Sequence, residues 1–176
     1  MRQIQKIATV FRLLTVVLFI AILSISTLAQ GQDTSIHSIV RNLSEIKFAP
    51  FPGLPTNAPG FVQTGDPKNG SSIILGKMDA GCIIPWHWHT PNEHLMVVSG
   101  VATIQMKGET PMTLRAGSFA MMPAHHVHQF RCMEDCVLYI YSDAAFDIHY
   151  INEQGMEISP DEALKAVKET TIKEPQ

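Results

Sequence analysis

The sequence predicts an all-β domain, a barrel or sandwich of short antiparallel strands. Two observations point there. From Ser71 onward, short runs rich in Val, Ile, Thr and aromatic residues alternate with turns marked by Gly or Pro. Strong helical patterning is confined to the C-terminal end, where the periodicity changes from two to about 3.6.

The elements follow in order. Residues 1–29 read as an export signal: Arg2, Lys6 and Arg12 lead an apolar stretch from Leu13 to Leu23, and Thr27-Leu28-Ala29 offers a cleavage triplet before Gln30. That apolar stretch is short for a bilayer span, which needs about 20 residues, so cleavage is favoured over an anchor. The expected location is periplasmic or extracellular, with no stable membrane insertion after cleavage. Residues 30–70 divide in two. Ile36, Ile39, Val40, Leu43 and Ile46 have weak helical spacing, and Phe48 to Pro67 is Pro- and Gly-rich, which predicts an arm rather than a core element.

Residues 71–151 hold the predicted strands: Ser72–Met78, Gly81–His89, Glu93–Ser99, Ala102–Met106, Met112–Leu114, Ser118–Met122, Val127–Cys132, Val137–Tyr141 and Phe146–Ile151. Residues 152–176 form a helix and tail. Ser159 is its N-cap, Pro160 its first residue and Glu162 the third position of a capping box.

The chain has 176 residues, with 13 basic against 16 acidic side chains. Removing the leader leaves ten basic against the same sixteen, and a modestly acidic domain without a basic stripe is a poor nucleic-acid binder. Three cysteines remain. Cys132 and Cys136 flank Met133-Glu134-Asp135, so in an oxidising compartment they either bridge that turn or stay free thiols beside it.

Within this frame stand His87, His89, Glu93 and His128. Two His separated by one residue face the same side of a strand. Thr90-Pro91-Asn92 is a turn, and Glu93 opens the next strand. Two antiparallel strands joined at that turn would offer three ligands to one cavity, and His128 would close the set. Imidazole and carboxylate together suit a divalent transition metal: Mn, Fe, Co, Ni, Cu or Zn. The alternative is a hydrogen-bonded polar core without metal. His94 has the opposite parity to Glu93 and should face away, His125 should sit in a turn near the rim, and His126 shares the parity of His128. His149 carries no assigned role. Trp86 and Trp88 should pack between sheets or at a subunit contact. Leu95, Val97, Phe119 or Phe130 would wall the pocket, and Met96, Met106, Met112, Met121 and Met122 read as core filler.

The stretch from Gly81 through His87, His89 and Glu93 to Gly100 resembles the first cupin motif, with every fixed position filled. Gly117, Pro123 and His128 resemble the second, although His125 stands at its usual Gly and Cys132 at its usual Asn. The resemblance implies a cupin-type double-stranded β-helix, or jelly-roll barrel, holding a metal on His87, His89, Glu93 and His128. It also implies a homodimer as the default assembly, and the arm from Phe48 to Pro67 is long enough to cross to a neighbour. Function stays open within so varied a family. One expectation is a metal-dependent oxygenase or isomerase acting on a small oxygen-rich molecule, with Glu93 both ligand and catalytic base. The other is a non-catalytic module that binds a metal or a small ligand.

Overall fold

Eleven strands and one α-helix make up most of a computed structural model that describes residues 38–173. The expected leader lies outside the described residues. In chain order the first strands are β1 (Gly60–Gly65), β2 (Ser72–Met78), β3 (Ile83–Trp88), β4 (Glu93–Ser99), β5 (Val101–Met106) and β6 (Met112–Arg115). They are followed by β7 (Phe119–Met122), β8 (His128–Cys132), β9 (Cys136–Ser142), β10 (His149–Ile151) and β11 (Glu157–Ile158). The helix is α1 (Pro160–Lys173). Among the described residues no helix is long and apolar enough to cross a membrane.

Every strand pairing is antiparallel. One sheet has the order β1-β2-β9-β4-β7 and the other β11-β10-β3-β8-β5-β6. Alternation along each strand sends one set of side chains inward. Thus Glu93, Leu95 and Val97 of β4 are buried, whereas Met96 and Val98 between and after them are exposed. Leu138 and Ile140 of β9 meet Ala102 and Ile104 of β5 and Phe130 of β8 in the space between the sheets.

Three sequence expectations change. First, β3 and β4 do not form a hairpin: β3 lies in the six-stranded sheet and β4 in the five-stranded one. The Thr90–Asn92 turn therefore carries the chain across the barrel, so its flanking residues face each other through the interior. Second, the Pro/Gly-rich arm contributes to the fold. Its end forms β1, and the carbonyls of Asn57 and Pro59 accept hydrogen bonds from Asp79 N and Lys77 N at 3.0 and 2.9 Å. Prolines in this stretch remove donors but not acceptors, which is why the arm docks as an edge. Gly60 is needed there because a Cβ would stand 2.8 Å from the Phe51 ring. Ala58 is buried, and Phe51 and Leu54 pack on the core of the same chain. Among the described residues the weak helical spacing before it yields a 3₁₀ turn at Leu43–Glu45, and Ile36 lies outside them.

Third, several presumed core residues face out. Met96, Met112, Met121 and Phe119 are exposed, while Met122 is buried. The parity fixed by Glu93 on β4 and by Met122, its partner on β7, decides the cases of Met96, Met121 and Phe119, whereas Met112 shares the parity of buried Leu114 and is exposed at the start of β6.

The C-terminal helix starts as its sequence dictates. Ser159 Oγ accepts from Glu162 N at 3.2 Å, and Ala163 and Leu164 pack inward. All three cysteines are free and buried. Cys136 Sγ donates to the Glu134 carbonyl at 3.2 Å.

Candidate metal centre

Four elements bring the predicted ligands together. His87 lies on β3 directly opposite His128 of β8. His89 follows β3, and Glu93 opens β4 in the facing sheet. All four side chains are buried, and each offers one ligand atom within 4.8 Å of the others.

Each imidazole is held by a backbone carbonyl. His87 Nδ1 donates to Pro85 O at 2.7 Å, and His128 Nδ1 to His126 O at 2.9 Å. His89 Nδ1 donates to the Asp147 carbonyl. A carbonyl only accepts, so each Nδ1 carries a proton, and each Nε2 keeps its lone pair whenever the ring is neutral. In that neutral state two of the lone pairs face Glu93, whose Oε2 lies 3.1 Å from His128 Nε2 and 3.3 Å from His89 Nε2. Acceptors thus face acceptors, and buried His89 Nε2 and Glu93 Oε2 have no hydrogen-bond partner. Such a cluster needs a cation. The donor set of three neutral imidazoles and a carboxylate fits a divalent metal ion.

The electrostatics of the metal-free site agree. Burial, reinforced by His128 and His89, drives the His87 pKa well below the imidazole range, so this ring is neutral. Burial also opposes charge on His89 and Glu93, but the two overcome it together: Glu93 raises the His89 pKa, while His89 and His128 hold the Glu93 carboxyl well below the usual range. A proton on His89 is therefore what an entering metal displaces. Because that pKa is raised, the proton is present at and below the ordinary imidazole value and is lost as pH rises through the raised one. Metal affinity should accordingly fall as pH falls across that range, approaching about tenfold per pH unit for one displaced proton. Competition titrations at several pH values, referenced to the chelator's own pH dependence, measure that slope. An affinity indifferent to pH would contradict the proton assignment.

The connection between β9 and β10 supports the ligands, a role invisible in the sequence. The Asp147 carboxylate accepts from Thr90 N at 2.8 Å and Thr90 Oγ1 at 2.5 Å, beside the ligand His89 that its own carbonyl holds. Asp143 likewise holds Asn92 through its backbone N at 3.1 Å and its side chain at 2.6 Å, next to Glu93. Phe146 stacks on His89 with ring centroids 4.4 Å apart. Long sequence separation hid these contacts, and the expected strand Phe146–Ile151, which covers Asp147, begins only at His149. Replacing Asp147 by Ala should weaken metal binding about tenfold, at the low end for a residue supporting a ligand, without changing stoichiometry. Unchanged affinity in a chelator competition would remove Asp147 from the site.

The other described histidines separate from the four. His94 faces outward toward Tyr141 and Phe119. His125 is exposed with φ of 61°, supplying the left-handed turn usually given to Gly. His126 is exposed and serves the site through its carbonyl rather than its ring. His149 stacks on Trp88 at 3.9 Å and lies between Glu157 at 2.8 Å and Asp147 at 3.1 Å. It therefore braces the support rather than lacking a role.

The site lies in a cavity with about 40 Å³ of free space. Its walls include Leu95 and Phe130, as the sequence suggests, but neither Val97 nor Phe119.

Residues 74–142 match the family model of the cupin domain. The barrel is a cupin. No curated protein matches the chain. Among solved structures, an RmlC-like cupin protein from Ralstonia eutropha JMP134 is 21% identical with a TM-score of 0.56, the match covering 80% of this chain and 94% of that one. KdgF from Halomonas sp. is 19% identical with a TM-score of 0.49, covering 58% and 92%. Salicylate 1,2-dioxygenase from Pseudoaminobacter salicylatoxidans, solved with gentisate, is 16% identical with a TM-score of 0.46, covering 51% of this cupin and 25% of the dioxygenase. The likeness of this cupin to the Ralstonia protein is one of fold.

Proposed function

We infer that this cupin is an exported, metal-dependent enzyme of oxygenase or isomerase type that acts on a small molecule through its oxygen atoms. One observation carries the reading: three imidazole Nε2 atoms and a carboxylate converge in a buried cavity, each ring already held in the metal-binding tautomer. A divalent ion held by His87, His89, Glu93 and His128 would supply Lewis acidity and open coordination positions. The protein's own share is to orient the ligands, exclude water and hold a carboxylate beside the bound molecule. Glu93 is the one carboxylate among the residues lining the cavity, and so the group there able to take a substrate proton.

The test is oxygen uptake and product formation by metal-loaded protein on a panel of dihydroxy-aromatic and enediol compounds. Turnover that disappears on metal removal is expected. Metal bound with no turnover on any of them would favour a binding module, a reading supported by the small free volume of about 40 Å³. Export rests on the leader sequence, and cell fractionation with N-terminal sequencing checks it. A homodimer is supported by exposed Met96, Val98, Phe119 and Met121 on the strands β4 and β7. Light scattering of the purified protein gives its mass directly.

A further inference from the structure

The cavity's lining separates sharply into two kinds of group. The polar side chains among the described residues that line it are His87, His89, Glu93 and His128, and all the others are apolar. Strands fix most of the apolar wall, through Ile84, Leu95, Ile104, Phe130, Leu138 and Ile140. The remaining side is closed from outside the strands by Leu54 of the arm and by Phe146 and Ile148 before β10. No Lys, Arg, Ser, Thr, Asn or Gln among the lining residues is available to receive a second charged or hydroxylated group of a bound molecule. A hydroxyl or carboxylate placed against that wall would lose its water without gaining a partner.

Charge narrows the choice further. Three neutral imidazoles and one carboxylate give the ligand set one negative charge, so a divalent ion leaves the site with one positive charge. A monoanionic ligand brings the enclosed charge to zero. A dianion would leave an uncompensated negative charge inside an apolar barrel. The four protein ligands also leave two positions on a six-coordinate ion, which suits a molecule binding through two oxygens.

We propose that the site takes a compact, monoanionic molecule that chelates through two adjacent oxygens and is otherwise apolar, and that it rejects dianions and polyhydroxylated acids. The inference rests on the metal-centre reading and narrows the substrate class within it. With about 40 Å³ free, room for such a molecule comes from the Leu54 and Ile148 side chains, which stand outside the strands, rather than from the strand wall or from Phe146, which stacks on His89.

The experiment uses the full-length protein as purified, loaded with Co²⁺, and follows the visible absorption of the bound ion. Tropolone, a monoanion with an apolar ring, is titrated against oxalate, a smaller dianion forming the same five-membered chelate. Both affinities are divided by those for free Co²⁺ at the same pH, and gel filtration confirms that the protein retains the ion. Normalised affinity should favour tropolone by about tenfold or more. Equal affinities, a preference for oxalate, or no spectral response to tropolone by protein that holds Co²⁺ would overturn the inference while leaving the metal centre intact. Failure to take up Co²⁺ would overturn the metal centre itself.

Discussion

Replacing His87 and His89 together by Ala should reduce bound metal from about one ion per chain to a background level while the β-rich fold persists. Two of four ligands disappear, and a carboxylate with a single imidazole holds first-row ions weakly. The fold survives because each ring gives up one hydrogen bond to a backbone carbonyl and leaves no backbone donor without a partner. Their Nδ1 atoms donate to the carbonyls of Pro85 and Asp147, and a carbonyl left without one bond is the milder loss. Elemental analysis and far-ultraviolet circular dichroism, run on wild type and variant in parallel, read both consequences. If the variant keeps both its metal and its fold, the ligand assignment is wrong.

Gly100→Ala should be among the most damaging single methyl additions in the barrel, alongside Gly65→Ala, whose Cβ would stand 2.1 Å from the Ser71 carbonyl oxygen. Gly100 follows β4 with φ of +88°, and a Cβ would stand 2.2 Å from the Asp135 carbonyl oxygen and 2.9 Å from Cys136 Cα. Those are backbone atoms of the turn entering β9, which pairs with β4 through Ser99 and Val137. They cannot rotate aside as a side chain could, so the β8–β9 turn must shift or the strand must slip. A loss above about 4 kcal/mol is expected, in the exceptional range for a point change. Gly117 provides the control: its φ is +86° but its Cβ would meet nothing within 4 Å. Gly117→Ala should therefore cost only the left-handed backbone penalty, about 1–2 kcal/mol. Urea denaturation of both variants separates the two cases, and equal losses would mean that the close approach at Gly100 is relieved elsewhere.

The pair also shows what the sequence made legible. Both glycines stand in the two motif stretches, and a need for positive φ can be expected at each; only the structure shows that one is also a contact. The four ligands were legible because spacing along a strand dictates facing, and Glu93 after a turn was an acceptable fourth. Their division between two sheets was not, since a short turn after a strand suggests a hairpin until the partners are known. Facing of Phe119 and Met121 failed for a related reason: parity cannot be carried through a turn, and Met122 rather than its neighbours took the inward position opposite Glu93. Asp143 and Asp147 escaped notice because they reach Asn92 and Thr90 across more than fifty residues of chain. The arm was misread because proline density argues against strand donors but says nothing about carbonyl acceptors, and these are what dock it on β2.

Metal analysis coupled to X-ray absorption on protein purified without chelators tests the central claim most directly. The expected result is about one divalent first-row ion per chain, in a nitrogen- and oxygen-rich shell containing three imidazoles. Metal-free protein that also fails to take up Mn, Fe, Co, Ni, Cu or Zn on titration would contradict it, and would return His87, His89, Glu93 and His128 to the status of a buried polar cluster.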